Sequence, residues 1–259
     1  MSSNLQKITE LVLGVHNPVV AVLDRLGLRR SPYILRLRNG HVMELRPKTG
    51  DLFGFYEIVL RRDYFAAGQV IKPGATVIDV GANIGCFTIT AAKLAGPTGR
   101  VIAIEPEEST YQQLLGNIKL NKLDNVTALR LAVGATEGEI LLHSDPNRLF
   151  SSVFSSVNGR PIGGSDQRVP MVTLDSLMDK YRIERCDYLK LDCEGAEHEI
   201  VANMSFATAS RVAQITMEVH KVPGCDSEIL TSRLENFGYQ RIGTSTLPFY
   251  ALSPLGGVV

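Results

Sequence analysis

VIDVGANIGC, residues 77–86, decides the fold. An apolar run, Val77 to Val80, passes through Gly81 and Gly85 into a segment with helical spacing, which is the pattern of a strand turning tightly into a helix. Gly81 frees the turn from steric restriction and lets a ligand approach the backbone, Gly85 lets the helix close on the strand, and the helix start offers unpaired N–H groups. Outward from this turn, short apolar runs alternate with helical stretches, the signature of βαβ units and a parallel sheet. Strands are predicted at 76–80, 101–105, 126–131, 187–192 and 214–219, and helices at about 85–95, 108–121, 173–182, 195–204 and 227–237. The segments 240–244 and 248–253 read as a final strand pair.

Two features favour S-adenosylmethionine over a dinucleotide in this turn. The glycines are spaced G-x-x-x-G rather than G-x-G-x-x-G, and Asp79 at the strand end would repel a pyrophosphate but attract a cationic amino acid. Glu105 ends the second strand, close to the roughly 20-residue spacing at which a carboxylate grips a ribose. The plainer alternative is that Asp79 caps the next helix and Glu105 is a solvated strand end.

Residues 1–50 stand apart. Apolar positions at Leu5, Ile8, Leu11 and Val12, then Val19, Val20, Val22 and Leu23, have helical spacing interrupted by Pro18, which predicts two short helices. Residues 33–47 alternate around Asn39-Gly40 and predict a hairpin. We read 1–50 as a helical and hairpin extension, a lid or brace, and 51–259 as the main domain. Residues 134–170 are too long and polar for an ordinary strand-to-helix connection. Strand character at Glu139–Ser144 and Ser151–Val157, with turn-rich Asp145-Pro146-Asn147 and Gly159–Gly164, predicts an inserted hairpin.

The chain has 27 Lys and Arg against 27 Asp and Glu, so no global field draws it to nucleic acid or an anionic membrane. No apolar run reaches the roughly 18 residues of a membrane span, and no export signal is visible at the N-terminus. Cys86, Cys186, Cys193 and Cys225 form no C-x-x-C pair. Reduced thiols and a cytoplasmic location are expected.

VIDVGANIGCFTITAAKLAGPTGRVIAIEP, then LRLAVG, VTLDSLMDKY and YLKLDCEGAEHEIV, resemble in order and spacing the FkbM family of S-adenosylmethionine-dependent methyltransferases, over roughly residues 50–220. The resemblance implies an α/β, Rossmann-like class I methyltransferase whose seven-stranded, mostly parallel sheet carries helices on both faces. It implies O-methylation of polyketides, sugars or other secondary metabolites. Asp79, Gly81, Asn83, Gly85 and Glu105 match the family's cofactor positions, and Ala132, in LRLAVG, is added to that set. Competing readings are a nicotinamide-dependent oxidoreductase, which the missing G-x-G-x-x-G disfavours, and a non-catalytic nucleoside-binding module.

A central parallel strand should be apolar on both faces, yet Lys190, Asp192 and Glu194 alternate with Leu189, Leu191 and Cys193. Unpaired burial would be costly, so these charges should emerge at the strand's C-terminal end, in the crevice where doubly wound sheets bind ligands. Glu218 and His220 follow the next strand. Methyl transfer to oxygen needs the acceptor held in line and relieved of its proton, so Asp192 and His220 are candidate bases and Lys190 a candidate for orienting a carboxylate or the acceptor. The alternatives are a structural ion-pair network at 190–194 and a satisfied strand-end histidine. Asp192, Glu218 and His220 could also hold a divalent cation, although none is expected.

Overall fold

Pro18 begins a helix in this computed structural model, which describes residues 4–66, 68–144, 151–152, 156–158, 160–161, 166–242 and 247–252. Helix α1 (Asn4–Gly14) ends before it and α2 (Pro18–Arg25) starts on it, where the missing N–H would have had no partner. Asn17 ties that helix start to the following strand, donating to the Ile34 carbonyl and accepting from the Arg36 amide. Strands β1 (Tyr33–Arg36) and β2 (Val42–Leu45) pair antiparallel about Asn39-Gly40. Helix α3 (Asp51–Phe55) runs into a π-helical turn at Tyr56–Leu60, and a 3-10 turn follows at Asp63–Phe65.

The βαβ succession then begins with β3 (Thr76–Val80), α4 (Cys86–Ala95), β4 (Arg100–Ile104), α5 (Glu108–Leu120) and β5 (Val126–Leu129). Four short or inserted strands follow: β6 (Ala132–Val133), β7 (Gly138–Ser144), β8 (Ser151–Ser152) and β9 (Ser156–Val157). After β10 (Arg160–Pro161) and β11 (Asp166–Val172) come α6 (Leu174–Lys180), β12 (Tyr188–Leu191), α7 (Glu197–Asn203) and α8 (Phe206–Ala209). The described chain closes with β13 (Gln214–Met217), α9 (Ser227–Asn236), β14 (Tyr239–Ile242) and β15 (Phe249–Leu252).

Seven of these strands form the main sheet in the order β14-β15-β13-β12-β3-β4-β5. Only β15 runs against the others, pairing antiparallel with both β13 and β14. The chain moves outward from β3 through β4 to β5, then returns to the other side of β3 as β12 and continues to β13, so the order reverses between β3 and β12. Side-chain alternation splits the core in two. Val77, Val101 and Tyr188 pack with Phe87, Ala91 and Ala95 of α4, while Ile78, Ile102, Leu189 and Ile215 pack with residues of α6, α7 and α9. Helices therefore cover both faces, and each fully buried aliphatic side chain contributes about 1.5–3 kcal/mol.

Two expectations need correction. The third strand stops at Leu129 instead of running to 131, because Ala132 and Val133 leave the main sheet to pair in parallel with Met171 and Val172. The inserted strand at 139–144 takes β11 as its chief partner, from Gly138↔Met171 to His143↔Asp166, and β8 meets only its end. The result is a second sheet, β6-β11-β7-β8. The expected turns at 145–147 and 159–164 fall on or beside positions outside the described residues.

The N-terminal elements pack on the outer side of α4 and α5. Leu11, Val15, Ala21, Leu35 and Met43 share one apolar cluster with Phe55, Ile84, Cys86 and Ile89. Asn117 and Asn121 of α5 bond the backbone of β2 at Glu44 and Val42. Among the described residues no helix is long and apolar enough to cross a membrane. All four cysteines are unbridged.

Candidate functional site

A cleft of about 1150 Å³ opens at the C-terminal ends of β3, β4, β12 and β13. The glycine loop after β3 forms its floor and Glu57, Ile58, Asp63 and Tyr64 line it from the N-terminal side; Leu142, Ser144 and Gln167 reach it from the second sheet.

Gly81 has φ +77°, and a Cβ there would lie 1.7 Å from the Asp192 carbonyl oxygen. Its lost side chain thus makes room for the neighbouring loop rather than for a ligand. Gly85 has φ +94°, and a Cβ would lie 2.8 Å from Leu114 Cδ1 of α5. Asn83, exposed and at φ +50°, presents its amide to Glu105 Oε2 at 2.9 Å. Glu105 follows β4 directly, lines the cleft, and takes the Glu107 amide on its other oxygen at 3.0 Å. Burial pushes its pKa up to about 7 against the pull of these two N–H donors. Ala132 lines the cleft from β6.

Asp79 lies elsewhere than the sequence suggests. It is fully buried, does not line the cleft, and accepts from Thr88 Oγ1 at 2.5 Å with one oxygen. Its other oxygen sits 3.1 Å from Lys190 Nζ. Asp79 and Lys190 are register partners on adjacent parallel strands, so the sheet itself sets this pair.

Lys190 stands beside the Asp192 carboxylate, as the sequence suggests. Only 1% exposed, its ammonium faces three oxygens: the Gly81 carbonyl at 2.9 Å, Asp79 at 3.1 Å and Asp192 at 3.5 Å. The Gly81 carbonyl takes a hydrogen bond from it, Asp79 and Asp192 stand at ion-pair distance, and the side chain also reaches the cleft wall. Burial would lower its pKa, but Asp79 and Asp192 overcome that and hold it above the ordinary lysine value. These contacts tie it to the glycine loop and to Asp192.

Asp192 stands one residue past β12, where Tyr64 donates to its Oδ2 at 2.7 Å. Burial opposes its charge, yet Lys190, His220 and the Tyr64 hydroxyl hold its pKa below the usual carboxylate value. Glu218, one residue past β13, is half-exposed and lines the cleft. Glu194, at φ +52°, also lines it. The expected convergence of Asp192, Glu194, Glu218 and His220 is therefore present in space.

His220 does not have the surroundings of a free base. It is 4% exposed, with Nδ1 2.8 Å from Glu197 Oε1 and Nε2 3.2 Å from Glu194 Oε2. Burial opposes protonation, but the hydrogen bond to Glu197 and the charge of Glu194 raise its pKa to about 10. It also does not line the main cleft.

Sequence reading missed Glu107, Gln167 and Glu197. Glu107 caps α5, accepting from the Ser109 and Thr110 amides, and also takes a hydrogen bond from Gln167 Nε2 at 3.0 Å, which joins the second sheet to the cleft. Gln167 carried no signal, because its partner is remote in the chain. The Ser144 hydroxyl oxygen is buried at the cleft with no hydrogen-bond partner among the described residues. A buried polar atom left over in this way fits a polar ligand group.

The sequence pattern of the methyltransferase FkbM domain matches residues 79–241, more than half of the chain. Over 222 residues the chain is 27% identical to the 31-O-demethyl-FK506 methyltransferase FkbM of Streptomyces tacrolimicus, covering 76% of this chain and 85% of that one. It is also 27% identical over 199 residues to the AMB antimetabolite synthetase AmbE of Pseudomonas aeruginosa, covering 64% of this chain but 9% of that longer protein. A solved structure of a SAM-dependent methyltransferase from Aquifex aeolicus is similar with a TM-score of 0.37 and 16% identity, over 76% of this chain and 89% of that one.

Proposed function

The chain belongs to the FkbM family of S-adenosylmethionine-dependent methyltransferases, and we propose that it methylates a hydroxyl oxygen of a small molecule such as a polyketide, a sugar or another secondary metabolite. One observation carries this reading: a single cleft is lined both by Glu105 and by Asp192. The oxidoreductase and non-catalytic readings lapse with family membership.

S-adenosylmethionine, when bound, supplies a sulfonium methyl group. Glu105 accepts the ribose hydroxyls, which its position after β4 and its place in the cleft support. Asn83 and Ala132 line the same half, and Ser144 and Gln167 offer hydrogen bonds to the base. Gly81 and Gly85 permit the close loop packing, while Asp79 acts through Lys190 on the loop's geometry.

In the other half, Asp192 is ionised and held by Tyr64 and Lys190, so it can orient an acceptor hydroxyl in line with the methyl group. Glu57, Asp63, Glu194 and Glu218 line the same cleft, together with Arg61 and Lys190. The chain's zero net charge adds no global attraction for a phosphate backbone. The favoured acceptor is accordingly a small molecule, not a nucleic acid. The 1–50 extension acts as a brace, since its cluster with Ile84 and Ile89 supports the glycine loop from behind.

Transfer of labelled methyl from S-adenosylmethionine to a panel of hydroxylated small molecules, amines and RNA tests the proposal. Label on a hydroxyl oxygen is expected, with Asp192→Asn lowering kcat by at least tenfold and leaving S-adenosylhomocysteine affinity within about threefold. Label confined to RNA or to nitrogen would sink it.

A further inference from the structure

We infer that Asp192, Glu218 and His220 form a binding site for one divalent cation, Mn²⁺ or Mg²⁺, at the acceptor end of the cleft. One ligand atom from each of the three lies within 4.8 Å of the other two. Oxygen and imidazole ligands sit about 2.0–2.3 Å from such ions, so two ligands of one ion lie at most about 4.5 Å apart, and small side-chain movements close the gap.

Backbone pairing fixes this grouping. Strands β12 and β13 are parallel neighbours with Leu191 opposite Met217, which leaves Asp192 and Glu218 side by side one step beyond the last pair. The Glu218 amide continues the ladder by donating to the Leu191 carbonyl at 2.9 Å. His220 enters from two residues further on.

Glu197 supplies an independent observation, because it is outside the ligand group and fixes how the imidazole points. It is fully buried in α7, accepts from the His220 backbone amide at 2.6 Å and from Nδ1 at 2.8 Å, and takes the Gly195 amide on its other oxygen at 3.0 Å. Nε2 is thereby aimed at Glu194, 3.2 Å away, and Glu218, 3.8 Å away. A metal-ligating histidine characteristically donates its other ring N–H to a carboxylate in this way. A hydroxyl-activating histidine would need Nε2 open to the acceptor, whereas here it faces acidic groups only. Glu194 is a fourth donor on the same rim.

Two carboxylates and one imidazole suit Mn²⁺ or Mg²⁺ better than a thiophilic ion, and the ion takes the place of the proton on His220 Nε2, which is released to solvent. The half exposure of Glu218 leaves coordination positions open toward the cleft. Resting on the methyl-transfer reading, the cation would hold the acceptor hydroxyl as a ligand and lower its pKa, with the proton passing to solvent water as the methyl group leaves the sulfonium.

Metal-stripped full-length protein titrated with MnCl₂, followed by calorimetry and by the electron spin resonance of free Mn²⁺, tests the site. One Mn²⁺ per chain is expected, with binding at least tenfold weaker in Asp192→Asn and in Glu218→Gln. Removing His220 leaves Glu197 buried without its partner and can cost folding, so the half-exposed Glu218 is the decisive variant. No stoichiometric uptake by the unaltered protein, or equal uptake by Glu218→Gln, overturns the site. Uptake is read without acceptor or methyl transfer: a protein that binds S-adenosylhomocysteine but not Mn²⁺ fails this inference alone, and one that binds Mn²⁺ but methylates no hydroxyl fails the functional proposal alone.

Discussion

The carbonyl oxygen of Asp192 occupies the space that a side chain on Gly81 would need, 1.7 Å from where a Cβ would stand. The loop after β3 and the loop after β12 are thus fitted to each other at the point where the sheet order reverses.

Gly81→Ala is expected to combine that clash with a φ of +77°, a left-handed conformation that alanine adopts poorly. Backbone must move on one loop or the other. A stability loss of about 3 kcal/mol or more, read by urea denaturation, should accompany loss of S-adenosylhomocysteine binding by calorimetry. Stability and affinity equal to the unaltered protein would contradict the described packing.

Lys190→Met removes the cation from between three oxygens while leaving Asp79 buried. Breaking one side of a buried pair costs about 3–5 kcal/mol. Combining it with Asp79→Asn should recover part of that loss, because the orphaned charge goes too. Denaturant unfolding of the two variants checks the coupling, and strictly additive losses would contradict it.

Glu105 gives a pH prediction. Its pKa is raised to about 7 by burial, and the ionised form is the better acceptor for ribose hydroxyls. S-adenosylhomocysteine affinity should rise between about pH 6 and pH 8 as the carboxyl loses its proton. Glu105→Gln should weaken binding by about 1–2 kcal/mol and flatten that rise. For folding the sign is opposite: the unfolded carboxyl ionises near its ordinary 4.5, so burial of Glu105 costs stability as pH climbs from there toward 7. Calorimetry across the range, with a denaturation series beside it, reads both trends.

Much of the main sheet was legible because local pattern and tertiary position agreed. The runs at Val77–Val80 and Val101–Ile104 are apolar on both faces, as strands covered by helices must be. Asn39-Gly40 and Pro18 marked a turn and a helix start through backbone chemistry alone. Charge roles were less legible. Lys190 reads as a cation beside Asp192, but two of its three oxygens, on Asp79 and Gly81, are more than a hundred residues away in the chain. His220 reads as a base until Glu197 and Glu194 are found on either side of it. Strand 126–131 misled because Ala132 and Val133 continue its apolar run into a different sheet.

Pairing between β7 and β11 holds from Gly138↔Met171 to His143↔Asp166, and so needs nothing from the length of chain that joins Ser144 to Asp166. Leu142 and Gln167, which face the cleft, keep their places whatever that length is. Ser152 meanwhile brings part of the joining segment onto the backbone of Glu194, at the wall of the cleft. Insertions and deletions there would be tolerated by the fold yet felt by the substrate, so descendants of one ancestral sequence could change what they methylate without rebuilding how they hold the methyl donor.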